Sequence, residues 1–382
     1  MEGSAPVTTL LYSEVEEDLR AAVRQAVTRA ADPSSSSDLW RTLSVEIGCA
    51  GLAVPEDRGG AGASWREVAV VAEELGRGVA ALAPAGSSSS SSTASSSTAP
   101  VPFLGTTLAT AALLAIEPTD VLAKVASGGL VAVLAVPLAT PPGAPVPGSV
   151  ARDGERLTGR VSGVADAGAA DVLLLPTSDG LYAVEAAHAE LLPVTALDQT
   201  RPLFDIVLDG SPATPLAAAD TVAVAWRAAL TAGAVILASE QLGVATWCLE
   251  STVDYVKHRY QFARPVGSFQ AVKHRLAELW VEVTQARAVA RYAAGCLADA
   301  DPGNELAAGH ELAVAASLAQ AHCGPVAVRA AEEAVQLHGG IGFTWEHPTH
   351  WYLKRAKSSS IALGTTTQHR AALAVLVDLP PA

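Results

Sequence analysis

Apolar residues between Ser13 and Ala30 recur at helical spacing, with Val15, Leu19, Val23 and Val27 on one stripe. Ser34 to Ser37 break the pattern. Asp38 is placed to cap the next helix, which carries Trp40, Leu43 and Ile47. A turn-rich connection, 48–62, leads to a helix over 64–77, where Ser64 and Glu67 stand at capping-box spacing. From about Leu130 the period shortens. The runs 131–136, 171–175, 181–185 and 204–208 read as β-strands separated by Gly, Pro and Asp clusters, in a small domain of antiparallel character. After Ala217 the pattern is helical again, over 222–258, 272–299 and 305–337. The expected fold class is α+β, divided as 1–128 helical, 129–217 β and 218–382 helical.

Composition narrows this picture in a few places. The chain has 382 residues, half of them apolar and 17% charged, enough for two or three domains around a sizeable core. Residues 87–98 hold nine serines in twelve positions, a stretch with nothing to bury, expected as a mobile surface loop. The formal net charge of −14 disfavours nucleic acid. Cys49, Cys248, Cys296 and Cys323 lie far apart, with neither metal nor redox spacing, which suits a reducing cytoplasm. The first 18 residues are acidic and lack the apolar core of a secretion signal. The most apolar helical run, 228–239, is too short for a bilayer and is expected as a buried helix, so no membrane is implied.

The most informative segment is Arg259-Tyr-Gln-Phe-Ala-Arg-Pro-Val-Gly-Ser-Phe-Gln270 and its continuation to Glu278. It resembles the helix–loop–helix signature of the acyl-CoA dehydrogenase family. Three further stretches share the resemblance: 51–62 with 73–77, 157–171, and Ala331-Glu-Glu-Ala-Val-Gln-Leu-His-Gly-Gly-Ile-Gly-Phe-Thr-Trp-Glu346. It implies an N-terminal helical domain, a small middle β-barrel or sandwich, and a C-terminal four-helix bundle. It also implies FAD, an acyl-CoA substrate, a dimer or tetramer of homologous chains, and an electron-transfer flavoprotein as electron acceptor. In the family a carboxylate removes the α-proton of the thioester while hydride leaves the β-carbon for the flavin. The ADP end of FAD is held from a neighbouring subunit. By resemblance those contacts fall on Arg259, Gln261 and Phe262 and on Gln336, Gly339 and Gly340, while Phe269, Gln270, Thr365 and Thr367 are further cofactor-binding positions. A guanidinium suits a pyrophosphate because it is planar, bidentate and always charged. Glycines let backbone approach a ligand, and the same pair can end a helix.

The resemblance fails on the flavin-ring side. Relatives carry a Thr- and Ser-containing loop after the first strand; here it reads Ala135-Val-Pro-Leu-Ala-Thr-Pro-Pro-Gly-Ala-Pro145. The family's Trp-x-x-Thr positions fall on Ser162 and Ala165. The usual glutamate position is Leu363, and the alternative position on the long helix is Gly233; neither accepts a proton. Glu240, two turns further along that helix, is the remaining candidate, more simply read as a buried or interface acid, and Asp254 and Glu346 are weaker ones. His338, His347 and His350 lack metal spacing and are expected in helix-end and packing roles. Trp226, Trp247, Trp280, Trp345 and Trp351 read as core or interface anchors.

Elements that a subunit extends to its neighbour's FAD are present, and elements for its own flavin ring are altered. The reading is a subunit that pairs with a homologous chain carrying the base, as in bacterial breakdown of fatty acids or sterol side chains. Two alternatives stay open at this point: an autonomous homotetramer with an unusual base such as Glu240, or a non-enzymatic relative that binds an acyl thioester.

Overall fold

The computed structural model describes residues 10–32, 38–84, 101–300 and 307–379. The serine runs at 34–37 and 87–98 lie outside the described residues.

Helix α1 (Glu14–Ala30) starts at a capping box in which Ser13 accepts from Glu16 N while Glu16 accepts from Ser13 N. It buries Val23 and Val27, but Val15 is 68% exposed. The stripe therefore turns away from the core at its first member. Helix α2 (Leu39–Arg41), capped by Asp38 as expected, runs on into a π-turn, Thr42–Glu46. Helix α3 (Trp65–Arg77) has the predicted Ser64–Glu67 box. Helices α4 (Phe103–Leu114) and α5 (Asp120–Ala126) complete the first part. The sequence pattern missed α4 because it is buried almost all round and so has no polar face.

The β region is two four-stranded sheets. One contains β1 (Ala132–Leu134) and, in chain order, β2 (Val150–Asp153) and β3 (Arg156–Ala165) open the other. Then follow β4 (Val172–Thr177), β5 (Gly180–Glu185), β6 (Glu190–Val194), β7 (Leu203–Pro212) and β8 (Thr214–Ala218). The sheet orders are β1-β4-β5-β8 and β2-β3-β7-β6. The expected antiparallel character holds except at β1, which pairs parallel with β4, Ala132 opposite Val172. A connection containing β2 and β3 separates the two strands and allows the parallel pairing.

Helix α6 (Ala219–His258) is 40 residues long. By length and composition it could cross a membrane, which the shorter run expected from sequence could not, yet 67% of its most apolar window is buried inside the chain. It is the central core helix. It leads into a hairpin, β9 (Tyr260–Gln261) and β10 (Arg264–Pro265), then α7 (Gln270–Ala298), α8 (Ala307–His338), α9 (Thr349–Ser359) and α10 (Thr366–Leu376). Where α3 crosses α6 the backbones touch: a Cβ on Gly76 would sit 2.1 Å from the Glu240 carbonyl oxygen, and one on Gly243 2.0 Å from that of Glu73. No side chain fits there, so the crossing is fixed in register.

Candidate functional site

Two regions carry the expected chemistry, and they differ in kind. The first surrounds Leu363. The turn Ala362–Gly364 lies between α9 and α10, and both Ala362 and Leu363 are fully buried. A Cβ on Gly233 of α6 would lie 3.0 Å from Leu363 Cδ1 and 2.4 Å from Leu108 Cδ2 of α4. The two family positions for a base therefore face each other, and aliphatic side chains fill the space between them. Leu104, Leu230 and Leu237 belong to the same apolar cluster.

The loop after β1 closes over this region. Leu138 N donates to Gly163 O (3.0 Å) and Pro137 bridges Val164, so the loop is sewn onto β3 between Ser162 and Ala165. Leu363 N donates to Leu138 O (2.7 Å), joining loop to turn. Trp226 Nε1 donates to Ala144 O (2.8 Å), joining loop to α6. A Cβ on Gly364 would be 2.9 Å from both Pro141 Cβ and His369 Nε2. His369 Nε2 is 2.9 Å from Leu363 O. These contacts hold Leu363 at φ +52°, a conformation that a branched side chain adopts only when its surroundings impose it. The loop is thus held by backbone bonds to β3, α6 and the 362–364 turn, over aliphatic side chains that offer a flavin ring no hydrogen-bond partner.

Glu240 lies in a separate buried cluster. Its carboxylate accepts from Arg355 Nε (2.8 Å) and Nη2 (3.0 Å), from Arg201 Nη2 and from Ser359 Oγ (3.4 Å). Asp198 completes the charge balance, 3.4 Å from Arg355 Nη1. Burial alone would raise the Glu240 pKa, but the Arg201 and Arg355 charges overcome it and bring it down to about 2. A carboxylate so engaged is a poor proton acceptor, and its position is that of an internal ion pair joining β6–β7, α6 and α9. Sequence reasoning missed this cluster because Asp198, Arg201, Glu240 and Arg355 stand far apart in the chain. Asp166, fully buried and accepting from Gly105 N (2.9 Å), has its pKa raised by burial.

The second region is at the opposite extreme of exposure. Arg259, Gln261, Phe262, Gln270, Gln336, Gly339, Gly340 and Thr367 are all exposed. Phe262 is 88% exposed and, with Ala263, forms the hairpin turn at φ +52° and +61°. Two successive positive φ values are the type I′ pattern that suits a tight hairpin, here made without glycine. Phe269 supports the hairpin: Arg264 lies 3.8 Å above its ring, and Phe262 meets it edge-on at 6.3 Å. Arg259 has no side-chain partner among the described residues. The hairpin and the 336–343 loop occupy one end of the bundle, since Tyr255 of α6 stacks on His338 at 4.3 Å. Thr365 caps α10 in a capping box with Gln368, so its hydroxyl is already used within the chain. An unpaired guanidinium, an outward ring and a bare Gly-Gly backbone together fit the phosphates and adenine of a dinucleotide presented from outside the chain.

His338 and His347 take the packing roles expected of them, and Trp226 and Trp351 are buried anchors. Trp280 and Trp345 are exposed on this chain, at 59% and 53%. The four cysteines are free and buried.

Residues 10–100 match the acyl-CoA dehydrogenase N-terminal domain model, and residues 223–375 the acyl-CoA dehydrogenase C-terminal domain model. Acyl-CoA dehydrogenase IpdE2 of Mycobacterium tuberculosis is 36% identical over 342 residues, 89% of this chain and 86% of that protein. Among solved structures, a chain of the ChsE4-ChsE5 complex from Mycobacterium tuberculosis superposes with TM-score 0.76 at 26% identity, covering 98% of this chain and 100% of that one. A chain of the Tcur3481-Tcur3483 steroid acyl-CoA dehydrogenase gives TM-score 0.76 at 28% identity, covering 97% and 99%. The chain belongs to the acyl-CoA dehydrogenase family of FAD-dependent oxidoreductases.

Proposed function

We propose that this chain is the contributing half of a mixed acyl-CoA dehydrogenase, and that a homologous subunit carries the base and the flavin-ring contacts. The observation that carries the reading is the mutual packing of Gly233, Leu363 and Leu108 under a hydrogen-bonded loop, while Arg259, Phe262 and Gly339–Gly340 stay exposed at the far end of α6. FAD, when bound, supplies the hydride-accepting chemistry. Arg259 neutralises pyrophosphate charge, Phe262 covers the adenine, and Gln336 with Gly339–Gly340 bounds the phosphates from the other side. The similarity to chains of a ChsE4-ChsE5 complex and of a steroid acyl-CoA dehydrogenase supports an unlike pair and a bulky, steroid-derived acyl group. Glu240 as an autonomous base is disfavoured by its two arginine partners.

The test is a visible spectrum. The chain alone, given FAD and freed of excess, is expected to stay colourless. Co-purified with a homologous subunit that has an intact glutamate, it is expected to carry flavin, and Arg259→Ala in this chain is expected to weaken that flavin binding. Near-stoichiometric flavin on the chain alone would sink the reading. So would a complex indifferent to Arg259→Ala.

A further inference from the structure

Beyond the exposed contacts themselves lies the question of what keeps two separate segments in one arrangement. The hairpin follows α6, and the glycine loop follows α8, so nothing local aligns them. The hairpin is bound to the last turn of α6: Arg259 N donates to Tyr255 O (2.9 Å), and Val266 N to Arg259 O (2.8 Å). Gly267 lets the chain double back onto Val256, whose carbonyl would be 3.1 Å from a Cβ there. On the other side, Gly342 is tied to α9, because Thr349 Oγ1 donates to Gly342 O (3.1 Å). Between these two anchored segments stands a column of three rings. Tyr255 stacks on His338 (centroids 4.3 Å apart, planes 26°), and His338 lies against His347 (4.3 Å, 42°). His347 Nδ1 is in turn 3.1 Å from Thr349 Oγ1.

His338 is the middle of the column, only 3% exposed. Its Nδ1 donates to Ala334 O (2.7 Å), which fixes the tautomer and leaves Nε2 as a bare nitrogen. That Nε2 is buried and has no hydrogen-bond partner. A buried polar atom left unmatched costs stability, so its retention here calls for an offsetting role. An aromatic ring fixed on both faces provides one. We infer that His338 is a positioning residue: its ring, clasped between Tyr255 and His347, couples the Arg259–Pro265 hairpin to the Gly339–Phe343 loop, so that the two halves of the dinucleotide surface are held as a unit. The functional meaning of this coupling rests on the reading above; the coupling itself does not.

The column works with both imidazoles neutral. Burial depresses the pKa of His338, and burial together with the neighbouring His338 charge depresses that of His347. The other titratable groups facing this column are Tyr255 on α6 and, beyond His347, His350 and Lys354 on α9. None is an acid that would favour a protonated ring. Acidification therefore opposes the stack, and coupling is lost below the ordinary histidine range.

The experiment is hydrogen exchange by mass spectrometry on the full chain without flavin. Tyr255→Leu removes the ring on the α6 side and leaves every hydrogen bond of the 339–343 loop in place. It is expected to raise exchange in 339–343, across the gap, by about three- to tenfold, the scale of one aromatic pair. His338→Ala is expected to raise exchange in 259–265 and 339–343 together, while β3 stays protected. His338→Phe, which keeps a ring but cannot titrate, is expected to restore protection. If Tyr255→Leu leaves 339–343 unchanged, the proposal is overturned. It is equally overturned if His338→Phe exchanges as fast as His338→Ala. Should His338→Ala fail to fold, the Tyr255→Leu measurement decides alone. No flavin enters these readouts, so they stand or fall separately from the Arg259→Ala binding assay.

Discussion

Glu240→Gln separates a structural acid from a catalytic one. The buried cluster holds two guanidinium charges, Arg201 and Arg355, against two carboxylates, Glu240 and Asp198, all at most 5% exposed. Glutamine keeps the shape but leaves a surplus positive charge in the interior. Removing one partner of a buried pair costs about 3–5 kcal/mol. Burial raises the pKa of the neighbouring Asp166, and the arginine charges act against that shift. With an unfolding entropy of about 2.1 cal/mol/K per residue over the chain, the melting temperature should fall by roughly 4–6 °C. The pH dependence follows from the same charge. The folded pKa of Glu240 is depressed to about 2, so its stabilisation is full above the ordinary glutamate value and fades as pH falls toward 2. Thermal melts of wild type and Glu240→Gln at pH 7 should differ fully, and the gap should narrow on acidification below pH ~4. Activity of the flavin-loaded complex, per folded molecule, should be kept. An unchanged melting temperature at pH 7 would refute the ion-pair argument, and abolished turnover at unchanged stability would make Glu240 the base after all.

Phe262→Ala should leave stability within about 0.5 kcal/mol, because the ring is exposed, yet weaken FAD binding in the complex by about tenfold or more, as loss of a base-stacking ring does; flavin fluorescence titration reads it. Ala263→Gly should stabilise the isolated chain by about 1 kcal/mol in denaturant melts, since glycine occupies φ +61° without the steric cost that alanine bears. Leu363→Glu should cost several kcal/mol by the same melts, through an unpaired carboxyl set against Leu108 and Gly233, and should not yield a yellow protein.

Local features of the sequence were legible where a short-range rule governs them. The Ser64–Glu67 box, the Asp38 cap and the long α6 follow from neighbouring residues, and the altered base positions were visible as Leu363 and Gly233. Features set by distant partners were not. The parallel β1–β4 pairing depends on a connection of several strands, and α4 lacks a polar face because packing surrounds it. Arg201 drew no notice in a loop-like stretch, although Glu240 needs it, because charge pairing leaves no periodic trace. At Thr365 the local structure adds a role that the family motif does not announce: its hydroxyl caps α10. The sequence shows Leu363 at the usual glutamate position but not that Leu108 and the proline-rich loop pack around it.

That closure bears on how the chain can change over generations. An emptied pocket would leave a weakened protein for which regaining an acid is a single step. Here leucines and a loop bonded to three separate elements occupy the volume between Gly233 and Leu363. A glutamate placed there alone meets a packed interior and registers as a folding defect before it can act as a catalyst. Recovery needs the smaller residue opposite, the opened loop and the acid at once. Position 363 is thereby tied to the folding of the whole bundle: the turn, the proline-rich loop and α6 are packed as one unit, and a change of chemistry there is first a change of stability.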